Sequence, residues 1–119
     1  MVLFTLSFVA LIQIRCRHDG LNVANLDKVY YEKDIGPILR GCSDSNSGCH
    51  MQRGESGYVF TDYISVMKSI IPFNAQKSPA YKAITGKGFV QLMPPSGALS
   101  LDNRILIRVW IDQGAINKP

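Results

Sequence analysis

Apolar residues recur at helical spacing in four stretches of the chain, and no two stretches alternate as a pair of strands would. In the first, Asp34 reads as an N-cap, Pro37 fits the first turn, and Ile35, Ile38 and Leu39 form a face for burial before Gly41. In the second, Phe60, Tyr63, Ile64, Met67 and Ile71 predict a helix over 58–71, capped by Thr61 and stopped by Pro72. The third opens on Ser78 as N-cap and Pro79 at the first helical position, runs through Tyr81 and Ile84, and stops at Gly86. The fourth is capped by Ser100, has Asp102 at the positive end of the helix dipole, and ends before Gly114. Its Ile105, Leu106, Val109 and Trp110 predict a mostly buried helix, with Arg104, Arg108 and Asp112 as a solvated stripe. The β-branched part of that run would also suit a central strand, but no comparable strand exists to pair with it. Ser43 to Gly48, Gln52 to Gly57 and Gly86 to Leu92 read as loops, and Met93-Pro94-Pro95 as a stiffened one.

Ahead of these elements the chain is apolar from Met1 to Ile14, too short for a membrane span of roughly 20 residues. Residues 1–15 have the character of an export signal without its basic n-region, or of a lipoprotein signal, because Cys16 stands where an acylated cysteine would. Ile14 and Arg15 occupy positions where lipoprotein processing favours small residues, so simple cleavage stands beside lipidation. A buried N-terminal strand or helix is the plainer alternative. The abrupt polarity from Arg17 to Asp27 favours a tether over residues 16–28, followed by one domain over 29–119.

A chain of 119 residues supports one core, and three cysteines exclude a dense disulfide framework. The formal charge of +4 comes from basic residues scattered between Arg15 and Lys118. No basic stripe interleaved with aromatics is visible, which argues against a nucleic-acid partner. Lys77, Lys82 and Lys87 gather in sequence ahead of Met93 and would steer an acidic partner, although a solvated face is the default for such residues.

Candidate chemistry lies between Asp34 and Met51, where Cys42 and Cys49 precede His50. A thiol pair followed at once by an imidazole suits covalent haem attachment, with two thioether bonds and an iron ligand from one segment. The spacing is C-x6-C-H rather than C-x-x-C-H, so other readings stay open at this point. Cys42 and Cys49 would also serve as a disulfide closing a small loop, with His50 left as a surface histidine. A zinc site would need two further ligands, for which Cys16 and His18 are the remaining soft candidates.

The order D-I-G-P-I-L-x-x-C, C-H, S-P-A-Y-K-A-I, M-P-P, L-S-L-D-N-R-I and W-I-D-Q-G-A-I-N resembles the small class I c-type cytochromes, particularly those of Bacteroidetes-type bacteria. The likeness covers about Tyr30 to Asn117. It implies an all-α cytochrome c-like fold of about four short helices around one haem c held by Cys42 and Cys49. His50 would be the proximal iron ligand and Met93 the distal one. The inter-cysteine loop is longer than the usual two residues and must bulge to keep both sulfurs at the haem vinyl groups. Among the other methionines, Met51 adjoins His50, Met67 sits at core spacing and Met1 falls in the signal, which independently favours Met93. Trp110 reads as core, packed where the first and last helices cross; Tyr58, Tyr63, Tyr81 and Phe89 read as pocket wall or ordinary core. The expected activity is electron transfer with redox partner proteins, without catalysis, in a periplasmic protein or one tethered to the membrane through a lipidated Cys16. Two alternatives accompany it: a ligand-binding or peroxidase-like haem domain, and a haem-free exported lipoprotein with a structural disulfide.

Overall fold

The computed structural model describes residues 22–42, 49–51 and 57–119. The expected export signal over residues 1–15, Cys16, His18, the stretch 43–48 and most of the stretch 52–57 expected as loops lie outside the described residues. Among the described residues the regular structure is entirely helical: α1 (Gly36–Arg40), α2 (Tyr63–Met67), α3 (Pro79–Thr85) and α4 (Leu101–Asp112), with short turns of other helical type between them. The all-α expectation therefore holds, and the strand alternative for the last element does not.

The helical path toward α1 begins earlier than Asp34. Residues Tyr31–Ile35 form a π turn, in which the Gly36 N–H donates to the Tyr31 carbonyl five residues back. Pro37 accounts for the wide turn: its ring would press on a carbonyl four residues back, and it has no N–H to continue an α ladder. Asp34 is thus not the N-cap; its Oδ2 accepts from the Tyr30 N–H at 2.9 Å. Tyr31, Ile35 and Leu39 share the buried face, with Ile38 packed against it.

The largest correction concerns the helix expected over 58–71. Only Tyr63–Met67 is α-helical, and its N-cap is Asp62, not Thr61. Asp62 Oδ1 accepts from the Ser65 N–H and Oδ2 from the Ser65 hydroxyl, both at 2.9 Å, while the Thr61 hydroxyl also donates to Oδ2. With the cap one residue later, the buried set becomes Val66, Ser69 and Ile70, and Ile64 and Ile71 are exposed. The Ser65 amide and hydroxyl hold the Asp62 carboxyl below its usual value, with a smaller contribution from Thr61. A depressed carboxyl stabilises the fold above its unfolded pKa, and that stabilisation disappears as pH falls through the folded pKa. The thermal midpoint should therefore drop as pH falls through and below the usual carboxylate range, and Asp62→Asn should flatten part of that acid limb. An unchanged acid limb in the variant would remove Asp62 from this role.

At α3 the structure matches the sequence: Ser78 precedes Pro79, and Gly86 closes the helix with φ of 62°. Ser78 caps nothing with its side chain. It is fully buried, with Oγ accepting from the Ile71 N–H at 2.8 Å and donating to the Asn74 carbonyl at 2.9 Å. The hydroxyl thereby ties the turn after α2 to the start of α3.

α4 carries the centre of the core. Ser100 Oγ accepts from the Asn103 N–H, and Ile107, Val109, Trp110 and Ile111 are buried. Ile105 is 45% exposed, so the apolar face is narrower than the sequence suggests. The charged stripe is only partly solvated. Asp112 accepts from the Ala75 N–H at 2.9 Å and from Arg108 Nε at 3.4 Å, and Arg104 Nε is buried. The helix ends in a pair of reverse bonds, Gly114 N–H to Ile111 O and Ala115 N–H to Trp110 O, at 2.9 and 2.8 Å. Gly114 has φ of 103°, and a Cβ there would meet the Phe73 ring at 2.7 Å, so glycine is needed on two counts.

These bonds turn residues 115–117 back onto the first helical segment. Ile116 O accepts from both the Tyr31 N–H and the Trp110 indole N–H, each at 2.9 Å, and Asn117 O accepts from Glu32 N–H. The Tyr63 hydroxyl donates to Ala115 O at 2.9 Å. Tyr31 stacks obliquely between Tyr63 and Trp110, with centroids 5.4 and 5.9 Å away. Burial pushes its hydroxyl pKa up, nearby Asp62 adds to the rise and Arg40 opposes it. The first and last helical segments thus meet at Trp110, as the sequence predicts.

Candidate functional site

His50 is the best defined of the candidate side chains. It is 7% exposed although it follows an exposed Cys49 and precedes an exposed Met51. Burial of one polar ring between two exposed neighbours requires specific partners, and the returning chain supplies them. Nδ1 lies 2.9 Å from the Tyr58 carbonyl oxygen. The Phe60 N–H donates to the His50 carbonyl at 3.0 Å, and the Phe60 ring lies flat against the imidazole, 4.3 Å between centroids and 11° between planes.

A carbonyl oxygen only accepts, so the proton at this contact belongs to Nδ1. In the neutral ring the lone pair is then on Nε2, the nitrogen through which a histidine so oriented ligates a metal. The sequence identified His50 but not the residues that orient it. Helical spacing assigns Tyr58 and Phe60 to the beginning of a helix, whereas they pass alongside His50 ahead of the Asp62 cap. Their alternation with Val59 and the position of Asp62 were the available signals.

Cys42 follows α1 and is half-buried against the core, and its N–H donates to Leu39 O at 2.9 Å. Cys49 is exposed beside His50. Six residues separate these cysteines in sequence, and their path is outside the described residues. Met93 is half-buried and rests on a different support: its N–H donates to Ala83 O in α3 at 3.0 Å. His50 is thus fixed by the chain at Tyr58 to Phe60, and Met93 by α3.

The aromatic candidates divide. Tyr81 is buried in the core and Tyr63 is bonded to the C-terminal turn, while Tyr58 contributes its carbonyl to His50. Phe89 is fully exposed, so it is neither core nor pocket wall in this structure. Among the described residues no three His, Cys, Asp or Glu side chains gather as a metal-ligand set, and Cys16 and His18 lie outside them. No helix among the described residues is long and apolar enough to cross a membrane.

Two thiols for attachment, an imidazole oriented through Nδ1 and a thioether sulfur form a donor set that fits haem c, and the observed His50–Tyr58 contact selects the tautomer that ligation through Nε2 uses. No protein-family model matches the chain, and no curated protein or solved structure matches it either.

Proposed function

We propose that this chain is a monohaem c-type cytochrome that carries electrons outside the cytoplasm, with Cys42 and Cys49 attaching the haem and His50 and Met93 as axial ligands. The observation that carries this reading is the buried His50 ring, its Nδ1 held at 2.9 Å by the Tyr58 carbonyl directly after a cysteine. A surface histidine beside a structural disulfide would have no need of that orientation. When bound, haem c supplies the one-electron couple of its iron.

The chain's own residues provide the rest. Tyr58 holds the imidazole by its far nitrogen, which fixes ring rotation and increases the basicity of Nε2. Phe60 covers one face of the ring and excludes water from it. Cys49, adjacent to His50, ties attachment to ligation, and Cys42 offers its sulfur from a backbone anchored to Leu39. Met93 presents a soft sulfur, which favours the reduced metal and raises the potential. With His50 and Met93 both holding the iron, a small ligand such as oxygen or peroxide would find no place to bind. Transfer between proteins then needs only brief contact through a small interface.

The decisive measurement is an alkaline pyridine spectrum of the purified exported protein. Covalently retained haem is the expected result, and its absence would end the cytochrome reading. Given haem, Met93→Ala should abolish the weak far-red sulfur-to-iron band of the oxidised protein and allow the reduced protein to bind carbon monoxide readily. Persistence of the band would assign the ligand to another methionine.

A further inference from the structure

The loop after α3 has a fixed base and an apolar tip. At the base, Lys87 N–H donates to Lys82 O at 3.1 Å, Lys87 Nζ donates to Gln76 Oε1 at 3.2 Å, and Met93 N–H returns to Ala83 O. Gly86 and Gly88, with φ of 62° and 81°, allow the chain to turn outward between those anchors. Phe89 at the tip is fully exposed, and Val90 and Leu92 beside it are 45% and 40% exposed. Phe89, Val90 and Leu92 together give an anchored loop an exposed apolar end, the kind of surface that marks an interaction site when it is contiguous. The sequence around it is basic: Lys87 stands two residues before Phe89, and between Tyr63 and Leu101 the chain has four lysines and no Asp or Glu.

A surface of the opposite character lies on α4. The N-terminal segment and the outer side of the helix form a shallow groove of about 370 Å³, with Leu26, Val29, Ile105 and Val109 among its walls and Asp27 and Asp102 also lining it. Leu26 and Ile105 are 41% and 45% exposed there. The groove offers apolar area for a ring and two carboxylates for ammonium groups.

We propose that this groove receives the Phe89 tip of a second copy of the chain, with Lys87, at the base of the same loop, facing Asp27 and Asp102. The occupant is argued from complementarity of charge and apolar character, since one molecule carries an exposed aromatic two residues beyond Lys87 and an apolar groove whose charged lining residues, Asp27 and Asp102, are both acidic. An anionic lipid surface, or an unrelated acidic protein, would satisfy the tip and leave the groove uncovered. Tip and groove are different surfaces, so the contact is heterologous and copies join head to tail. The proposal does not depend on haem. Met93 lies four residues beyond Phe89, so the contact would bring the methionine loop of one copy near α4 of the next.

Sedimentation velocity on the full chain from about 1 μM to about 1 mM, at low salt, tests the proposal across the weak range expected for one small contact. The weight-average mass should rise with concentration, and added salt should weaken association several-fold. Phe89→Ser should weaken it by roughly 30-fold or more, as loss of an aromatic anchor does. Lys87→Glu and Asp102→Lys should each weaken it about 10-fold, and the two together should restore most of the affinity by exchanging the charges. Phe89 and Asp102 are exposed, so thermal midpoints should report that these variants remain folded. A mass independent of concentration overturns the proposal, as does association that survives both Phe89→Ser and Asp102→Lys. Binding of a strictly monomeric protein to vesicles containing phosphatidylglycerol would give the tip to lipid and overturn it too.

Discussion

Trp110→Ala should destabilise the fold by about 3 to 5 kcal/mol, a large part of the 5 to 15 kcal/mol typical of a small domain. The indole is completely buried, and its removal leaves a space bounded by the Tyr31 ring at 5.9 Å and by the apolar face of the first helical segment. That segment is held from outside by backbone bonds to Ile116 and Asn117, so it cannot move inward to fill the space without breaking them. The same substitution removes the indole N–H from Ile116 O, an acceptor shared with Tyr31 N–H. Trp110→Phe separates the effects, because it keeps most of the apolar volume and removes the donor; a loss of about 1 to 2 kcal/mol is expected from the hydrogen bond and residual space. Urea titrations of both variants provide the comparison. A loss below about 1.5 kcal/mol for Trp110→Ala would show that the surrounding elements collapse readily and that Trp110 does not hold the two ends of the chain together.

Helix ends set by local chemistry were legible in the sequence, and elements set by distant partners were not. Ser100, Gly114, Pro79 and Gly86 act within one turn of themselves, so their positions in the chain announce α3 and α4. The segment from Tyr58 to Ile71 also has helical periodicity, but part of that pattern belongs to a different task. Tyr58 and Phe60 are engaged with His50, and Asp62 starts the helix only after they have passed it. Periodicity alone cannot distinguish an aromatic that packs on a helix face from one that packs on a ligand candidate. The candidate site divides in the same way. Adjacent Cys49 and His50 stand out as a pair, whereas the carbonyl that orients His50 belongs to a backbone group that no residue type encodes. Phe89 illustrates the converse, since an aromatic near a methionine loop reads as pocket wall until its full exposure is known.

Gln113 had no distinguishing mark in the sequence, yet replacing it with alanine should cost about 1 to 3 kcal/mol through one buried amide and three part-buried carbonyls. Its side chain is buried at the end of α4, with Oε1 accepting from the Val29 N–H at 3.0 Å. Nε2 faces three carbonyls of the preceding segment, Asp27 at 3.0 Å, Val23 at 3.2 Å and Leu26 at 3.4 Å. One primary amide thus holds residues that the sequence reads as the end of a tether. Alanine would leave the Val29 N–H without its acceptor and those carbonyls without their donor. Gln113→Glu should be no milder: one carboxylate oxygen could still accept from Val29, but the other would face carbonyl oxygens instead of donating to them. Hydrogen exchange can locate the effect. In Gln113→Ala the Val29 amide should lose protection, while amides in the middle of α4 keep theirs relative to the lowered global stability. Unchanged protection at Val29 with a loss under about 0.5 kcal/mol would rule out the clamp. Because Leu26, Asp27 and Val29 line the proposed docking groove, the variant should also weaken self-association while its core remains folded. Retention of association after release of this segment would place the contact elsewhere on the molecule.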